Sequence, residues 1–467
     1  MSGPGAAVGS ARKYGLTAGM LTVALAAAGM LTYGFFALAS HSLDADDYGR
    51  IVVLWSAVFI IVSTVFRPVE QLVSRTIAEL DAHGEPISRA LRVAAGIQLG
   101  LALVFVAIAF IFRGPIQDDL LEGQEFLFYV MVAAVTAFAA SFFARGYLAG
   151  SRRFGLFSAL LLLDSGGRLA FSLAVAIGIA EGTDAVALGI VAGPTLSLLV
   201  VPFAVRLRHQ RSPPPPPVEA SGDAAAPRPH APEFTLAHGG GFAAAVLVVM
   251  LSEQVFLNGG PLFARAEAGT AAAGFIFNML MVARAPVVLF QAVAASLLPH
   301  LTRLRSTGGE TSDQSFRLSV RLTVSVIAGL AAAAVIVMLV AGPQLMQIAF
   351  GDEFTYDRVG LVIVAAGMGF YLSAATLNQA ALAQSQARRA AACWAACAVG
   401  FIIWNLIKPL DVFRTVEVGF TGSAVVLCAL LYVLYRRPDS RPGDEIRPGS
   451  TRELEAQLAA ADEAAQG

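Results

Sequence analysis

Charge is scarce in this chain. Of its 467 residues 14% are Asp, Glu, Lys or Arg, while 57% are hydrophobic. A soluble domain carries about a quarter charged residues, so this share, with a mean hydropathy of +0.69, excludes an ordinary soluble domain. It points to a polytopic membrane protein. An excess of positive charge is missing too: 32 Lys and Arg face 33 Asp and Glu, for a net charge of −1. That leaves no electrostatic footprint for a nucleic acid. Cysteine is nearly absent, and Cys393, Cys397 and Cys428 all lie in apolar runs, which argues against a disulfide framework. Cys393 and Cys397 share a helix face at i,i+4 and read as packing residues. The six histidines are scattered, with His300 beside Pro299, so no His/Cys metal spacing arises. P-loop and Gly-rich nucleotide motifs are lacking as well. Neither an enzyme, a metal site nor direct ATP hydrolysis is expected.

Long apolar runs are what the chain has in quantity. Runs of bilayer length fall near 15–39, 51–70, 91–112, 126–147, 156–180 and 184–205, and again near 241–262, 273–298, 318–341, 359–382, 390–407 and 418–435. Residues Ala37-Leu38-Ala39 mimic a signal-peptidase site, but the apolar run before them begins near Leu16. That run exceeds the roughly 7–15 residues of a signal h-region, so it reads as a retained first span. A β-barrel would need alternation at every second residue, and these runs lack it. The predicted fold class is therefore all-α, with about twelve transmembrane helices, six on each side of a break.

Most of the basic residues fall in one set of loops, including Arg12 and Lys13, Arg145, Arg152 and Arg153, Arg303 and Arg305, Arg388 and Arg389, and Arg436 and Arg437. The opposite loops are acidic, as in "SLDADDYG" and "FGDEFTYD". The positive-inside rule then places both termini in the cytoplasm, in the cell membrane. The expected domains are an N-terminal six-helix bundle over 1–206, a Pro/Ala-rich cytoplasmic linker over 207–238, a C-terminal bundle over 239–435 and a cytoplasmic tail over 436–467. The linker, "RSPPPPPVEASGDAAAPRPHAPE", suits an extended connector. In the tail, Ser450 and Glu453 form a capping box.

The halves echo one another. Gly123-Gln124-Glu125-Phe126 precedes the fourth span and Gly351-Asp352-Glu353-Phe354 the tenth. "YLAGSRRF" and "ALAQSQARR" follow those spans, and the second and eighth spans end in Arg-bearing loops with Gly84 and Gly308. An even number of helices per copy inserts both copies in one orientation. Parallel repeats of this kind belong to alternating-access transporters, with the substrate at the interface between lobes.

Four stretches carry a family likeness: "DYGRIVVLWSAVFIIVSTVFRPVEQLVSR" (47–75), "RGYLAGSRRFG" (145–155), "RAPVVLFQAVAASLLPHLTRL" (284–304) and "FGDEFTYDRVGLVIVAAG" (350–367). Over about residues 15–435 the chain resembles the polysaccharide and oligosaccharide-lipid flippases, of O-antigen and teichoic-acid export type, in the multidrug/oligosaccharidyl-lipid/polysaccharide exporter superfamily. The resemblance implies two six-helix pseudo-repeat bundles in a V around a central cavity. It also implies translocation of a polyprenyl-diphosphate-linked oligosaccharide across the cytoplasmic membrane. Partners would then be that lipid-linked oligosaccharide, membrane lipids and polysaccharide assembly enzymes.

An ionised residue at the bilayer centre costs about 2.5–3.5 kcal/mol on insertion scales, so mid-span charges mark candidate sites. Arg284 and Glu253 sit at similar depth in the eighth and seventh spans. They pair with each other or share a ligand: a guanidinium fork suits diphosphate oxygens, and a desolvated carboxylate beside a cation suits a coupling proton or Na+. Asn258 and Gln291 are the neutral polar candidates on the same two spans. Asp164 and Arg168, at i,i+4 in the fifth span, can neutralise one another. At the cytoplasmic rim, Arg67 with Glu70 (i,i+3) and Arg75 with Glu79 (i,i+4) read either as self-paired helix-end charges or as a gate that meets a headgroup. Pro68 withholds an N–H from the Thr64 carbonyl and bends the helix there. Two alternatives to a flippase stand: a multidrug:cation antiporter of the same superfamily, which mid-membrane arginines disfavour, and a polytopic membrane enzyme of polysaccharide assembly, which outer loops of only about 5–20 residues disfavour.

Overall fold

In the computed structural model the backbone is described for residues 4–83, 86–209, 236–306, 310–384 and 386–436, and side chains for 19–81, 86–204, 206, 244–284, 317–384 and 386–436. Most of the linker, most of the tail, Gly84, Gly308 and the side chains of Gln291 and His300 fall outside this range.

Thirteen α-helices occur among the described residues: α1 (Pro4–Ser42), α2 (Ala45–Val65), α3 (Arg67–His83), α4 (Ser88–Ile111), α5 (Glu125–Gly150), α6 (Phe154–Ala176), α7 (Gly182–Ser197), α8 (Val200–His209), α9 (Leu236–Ser306), α10 (Glu310–Phe350), α11 (Arg358–Ala383), α12 (Ala387–Ile407) and α13 (Val412–Arg436). Eleven helical stretches are long and apolar enough to cross a membrane. One of them, Ala244–Arg284, contains Gly269 at φ 86° and ψ −178°. Only glycine adopts that backbone without strain, and it folds α9 into two antiparallel arms. The count becomes twelve, and the protein is a multi-pass membrane protein.

Short polar signals set the helix ends. Asp44 caps α2 by accepting from Asp47 N at 2.8 Å, and Asp357 caps α11 by accepting from Val359 N and Gly360 N, each at 3.1 Å; both satisfy donors that a helix start leaves open. The expected bend at Pro68 appears as the break between α2 and α3, with Phe66 in the turn. The two Gly-x-Glu-Phe marks share a glycine at positive φ, Gly123 (φ 78°) and Gly351 (φ 93°), but Glu125 opens α5 directly whereas Asp352–Phe354 form a 3-10 turn ahead of α11.

Within each lobe, glycines let backbones touch, the small-xxx-small packing of membrane helices. On α5, a Cβ at Gly146 would lie 2.7 Å from the Glu70 carbonyl of α3, and one at Gly150 would lie 2.6 Å from that of Ser74. On α7, Gly189 and Gly193 seat against the α6 backbone at Arg168 and Asp164. "RGYLAGS" is therefore a packing motif.

The acidic segments around Tyr48 and Phe354 lie at one end of the molecule, since these two rings pack together. The lobes α1–α8 and α9–α13 meet in the acidic half. There Tyr48 donates to Asn278 Oδ1, Thr270 donates to Asp46 Oδ1 at 3.2 Å, and Tyr33 donates to the Met281 carbonyl at 2.7 Å. Phe36 packs on Phe277 at 4.5 Å and Tyr48 on Phe354 at 4.9 Å. Gly49 lies directly on the Thr270 backbone.

Candidate functional site

Two polar constellations lie inside the bundle. The first belongs to the N-terminal lobe and is built on α5 and α6. Asp164, 3% exposed at its side chain, accepts from Arg145 at 2.6 Å and Arg168 at 2.9 Å through one oxygen, Oδ2. Arg168 also bonds the Asp164 carbonyl at 3.2 Å and Ser165 Oγ at 3.4 Å. Each guanidinium leans on a ring, Arg145 on Phe142 at 4.7 Å and Arg168 on Trp55 at 5.0 Å. Such contacts favour a cation most where water is excluded. Asp164 Oδ1 and Arg145 Nε remain buried without a partner. The i,i+4 pair expected from the sequence is present, and Arg145 joins it. That residue had been read as a loop charge, yet its side chain is only 13% exposed. Glu70 is near enough to feel Arg145 and Arg67.

The second constellation is mainly in the C-terminal lobe. Arg284, half-buried, holds Nε and Nη2 out of solvent with no hydrogen-bond partner among the described residues. The groups that act on it electrostatically are Tyr33 of the opposite lobe and Tyr371 of α11. Tyr371 lies between charges, feeling Glu253, Arg284 and Arg67, and its ring is braced by Trp394 at 5.9 Å. Glu253 feels Arg67 of the other lobe, with no ion pair between them. A membrane-buried cation with two open donors has a strong unmet demand for an acceptor.

Several expectations change here. Arg284 and Glu253 form no ion pair. They share a depth but lie on arms that meet at Gly269, and equal height does not set which way two side chains turn. Asn258 donates to Gln254 at 2.9 Å inside the lobe, so its amide is already engaged. Arg67 is exposed and makes no ion pair with Glu70, whereas Arg75 does bind Glu79, at 2.7 Å on the surface. Among the described residues no group of three His, Cys, Asp or Glu could hold a metal ion. Arg145 carries a signal that could have revealed it: it lies 19 residues before Asp164, across one short turn joining two spans.

Neither protein-family models nor curated protein sequences match the chain. Solved structures do. A mutant of the MATE transporter VcmN from Vibrio cholerae aligns with a TM-score of 0.60 at 15% identity, covering 90% of this chain and 97% of that one. An inward-facing multidrug resistance MATE family transporter of the MOP superfamily aligns at 0.58 and 11% identity, over 88% and 94%. A MOP superfamily transporter from Pyrococcus furiosus, for which reverse polarity of the binding pocket is said to suggest a different function, aligns at 0.54 and 14%, over 90% and 94%. The chain thus has the two-bundle fold of MATE transporters of the MOP superfamily.

Proposed function

We propose that the protein is a cell-membrane exporter working by alternating access, with its termini and linker in the cytoplasm. The observation that carries this reading is where the lobes touch. Tyr48–Asn278, Asp46–Thr270 and Tyr33–Met281 join them in the acidic half. Toward the basic half, Arg67 faces Glu253 and Tyr371 without bonding either. In the orientation that the positive-inside rule favours, we infer that the lobes part on the cytoplasmic side, and rocking them would close that side and open the other. Glu253 is the carboxylate proposed to carry a coupling proton or Na+.

For the substrate, the similarity to MATE transporters favours a multidrug:cation antiporter over an oligosaccharide-lipid flippase. One observation favours the second reading. The open donors of Arg284 suit a diphosphate headgroup better than a cation, and pocket polarity differs among proteins of this fold, as is said of the Pyrococcus furiosus neighbour. In that reading the partners are a lipid-linked oligosaccharide and the enzymes that assemble surface polysaccharide.

Alternating access is tested with Asp46→Cys and Thr270→Cys in one chain: cross-linking this pair should stop transport, and a cross-linked protein that still transports rules the mechanism out. The substrate is tested with Arg284→Ala. If the substrate is a cationic drug, efflux of a cationic dye driven by a proton or Na+ gradient persists in the variant. If it is a lipid-linked glycan, export of surface glycan stops and the precursor accumulates inside at normal protein level. Unchanged glycan export removes Arg284 as the anchor.

A further inference from the structure

Helices α3 and α4 are each fastened to α5. Gly146 and Gly150 hold α3 backbone to backbone, and Gln98 of α4 donates to the Ala139 carbonyl of α5 at 2.6 Å. Helix α3 follows α2 after the single turn residue Phe66. Between α3 and α4 this leaves an apolar groove of about 520 Å³. Leu72, Ile77 and Leu80 form one wall and Val93 and Ile97 the other, while Ala94 leaves it deep. Val93 and Ile97 are 58% and 45% exposed, which on the membrane-spanning α4 means exposed to lipid, and Leu72 of α3 is 44% exposed beside them. Arg89, the second residue of α4, lines the same groove at its basic end.

Arg89 and Ile97 are about 12 Å apart along the helix at roughly 1.5 Å per residue. The groove therefore runs from headgroup level to less than halfway through a hydrocarbon core of about 30 Å. Its chemistry has two parts: a slot for hydrocarbon and, at the mouth, a guanidinium fork that fits phosphate oxygens. A second groove, of about 460 Å³ between α12 and α13, is lined by Cys397, Gly400, Trp404 and Gly419 among others and has no charged residue. It has room for a chain but no grip on a headgroup.

We propose that the α3–α4 groove binds one anionic phospholipid, with a chain between the helices and its phosphate on Arg89. The lipid wedges into the seam beside the Pro68 break, so it fastens the part of the N-terminal lobe that turns toward the cavity rim.

The test is native mass spectrometry of the full-length protein released from phosphatidylcholine nanodiscs doped with phosphatidylglycerol. The wild type should retain one phosphatidylglycerol in preference to phosphatidylcholine. Arg89→Gln should lower that preference about fivefold, the usual worth of one arginine near anionic lipid. Arg389→Gln, an exposed arginine of the other lobe, should leave it unchanged. Ala94→Phe should lower retention of either lipid. Wild-type preference in Arg89→Gln, or equal losses in Arg89→Gln and Arg389→Gln, would overturn the proposal, as would undiminished retention in Ala94→Phe.

Discussion

Arg145 and Arg168, on different helices, share one oxygen of Asp164 at 2.6 and 2.9 Å. A single carboxylate therefore serves as ionic partner to two guanidiniums at the α5–α6 seam. Removing it should do more harm than removing either base. Asp164→Asn leaves two cations with no ionic partner in that cluster, a loss of about 3–5 kcal/mol by the standard of a broken buried pair. Arg145→Ala leaves the Asp164–Arg168 pair intact and should cost less. Thermal unfolding in detergent checks the order, and equal melting temperatures for the two variants would show that the carboxylate is not shared in this way.

Gly150 of α5 touches the α3 backbone, and a Cβ there would come within 2.6 Å of the Ser74 carbonyl. Backbone cannot move aside as a side chain can, so Gly150→Leu should force α3 and α5 apart at about 1–3 kcal/mol, the usual range for overpacking. Gly155→Ala is the control, since its Cβ would meet only the Met20 side chain at 3.8 Å. The yield of monodisperse protein and its melting temperature should fall in the first variant and hold in the second.

These two sites also show what a sequence discloses. Hydropathy finds the helices because each must fill the bilayer, and Gly269 could end an arm because no other residue takes its backbone angles so easily. Asp164 and Arg168 were legible as a pair because i,i+4 spacing fixes both height and face on one helix. An ion pair between Arg284 and Glu253 did not form, because depth across two helices says nothing of azimuth. Arg67 and Glu70 were misjudged for a related reason: Arg145 of α5 approaches Glu70 from another helix, and local spacing cannot see it. The glycines of "RGYLAGS" are visible in the sequence, yet what lies against them is a tertiary fact.

Tyr48 ties the lobes by donating to Asn278 within the buried seam. Tyr48→Phe keeps the ring against Phe354 but leaves the Asn278 amide with an unmet acceptor, a penalty of about 1–3 kcal/mol. That penalty falls only on the conformation in which the acidic ends touch, so the variant should shift the protein toward separation there by a factor of about 5 or more. Thiol labelling of Thr270→Cys should be faster in the Tyr48→Phe background. An unchanged labelling rate would mean that the bond does not hold the lobes together.

At the acidic end of the C-terminal lobe, Glu417 is fully buried and accepts from Tyr356 at 2.6 Å and from Arg414 at 2.6 Å. Arg414 also grips Asp357, the cap of α11, at 2.6 Å. Burial first, and the adjacent Glu417 carboxylate second, push the Tyr356 phenol well above its ordinary pKa, so it stays a donor at any physiological pH. Among the described residues Arg414 is the cation that ties α13 to the α11 cap while it pairs with Glu417. Arg414→Ala should strand a buried carboxylate and destabilise the lobe by about 3–5 kcal/mol. Adding Glu417→Gln to that variant removes the stranded charge, so the double variant should melt above Arg414→Ala alone. If it melts at or below the single variant, the damage comes from lost packing or the lost Asp357 contact, and charge compensation is not what Arg414 supplies.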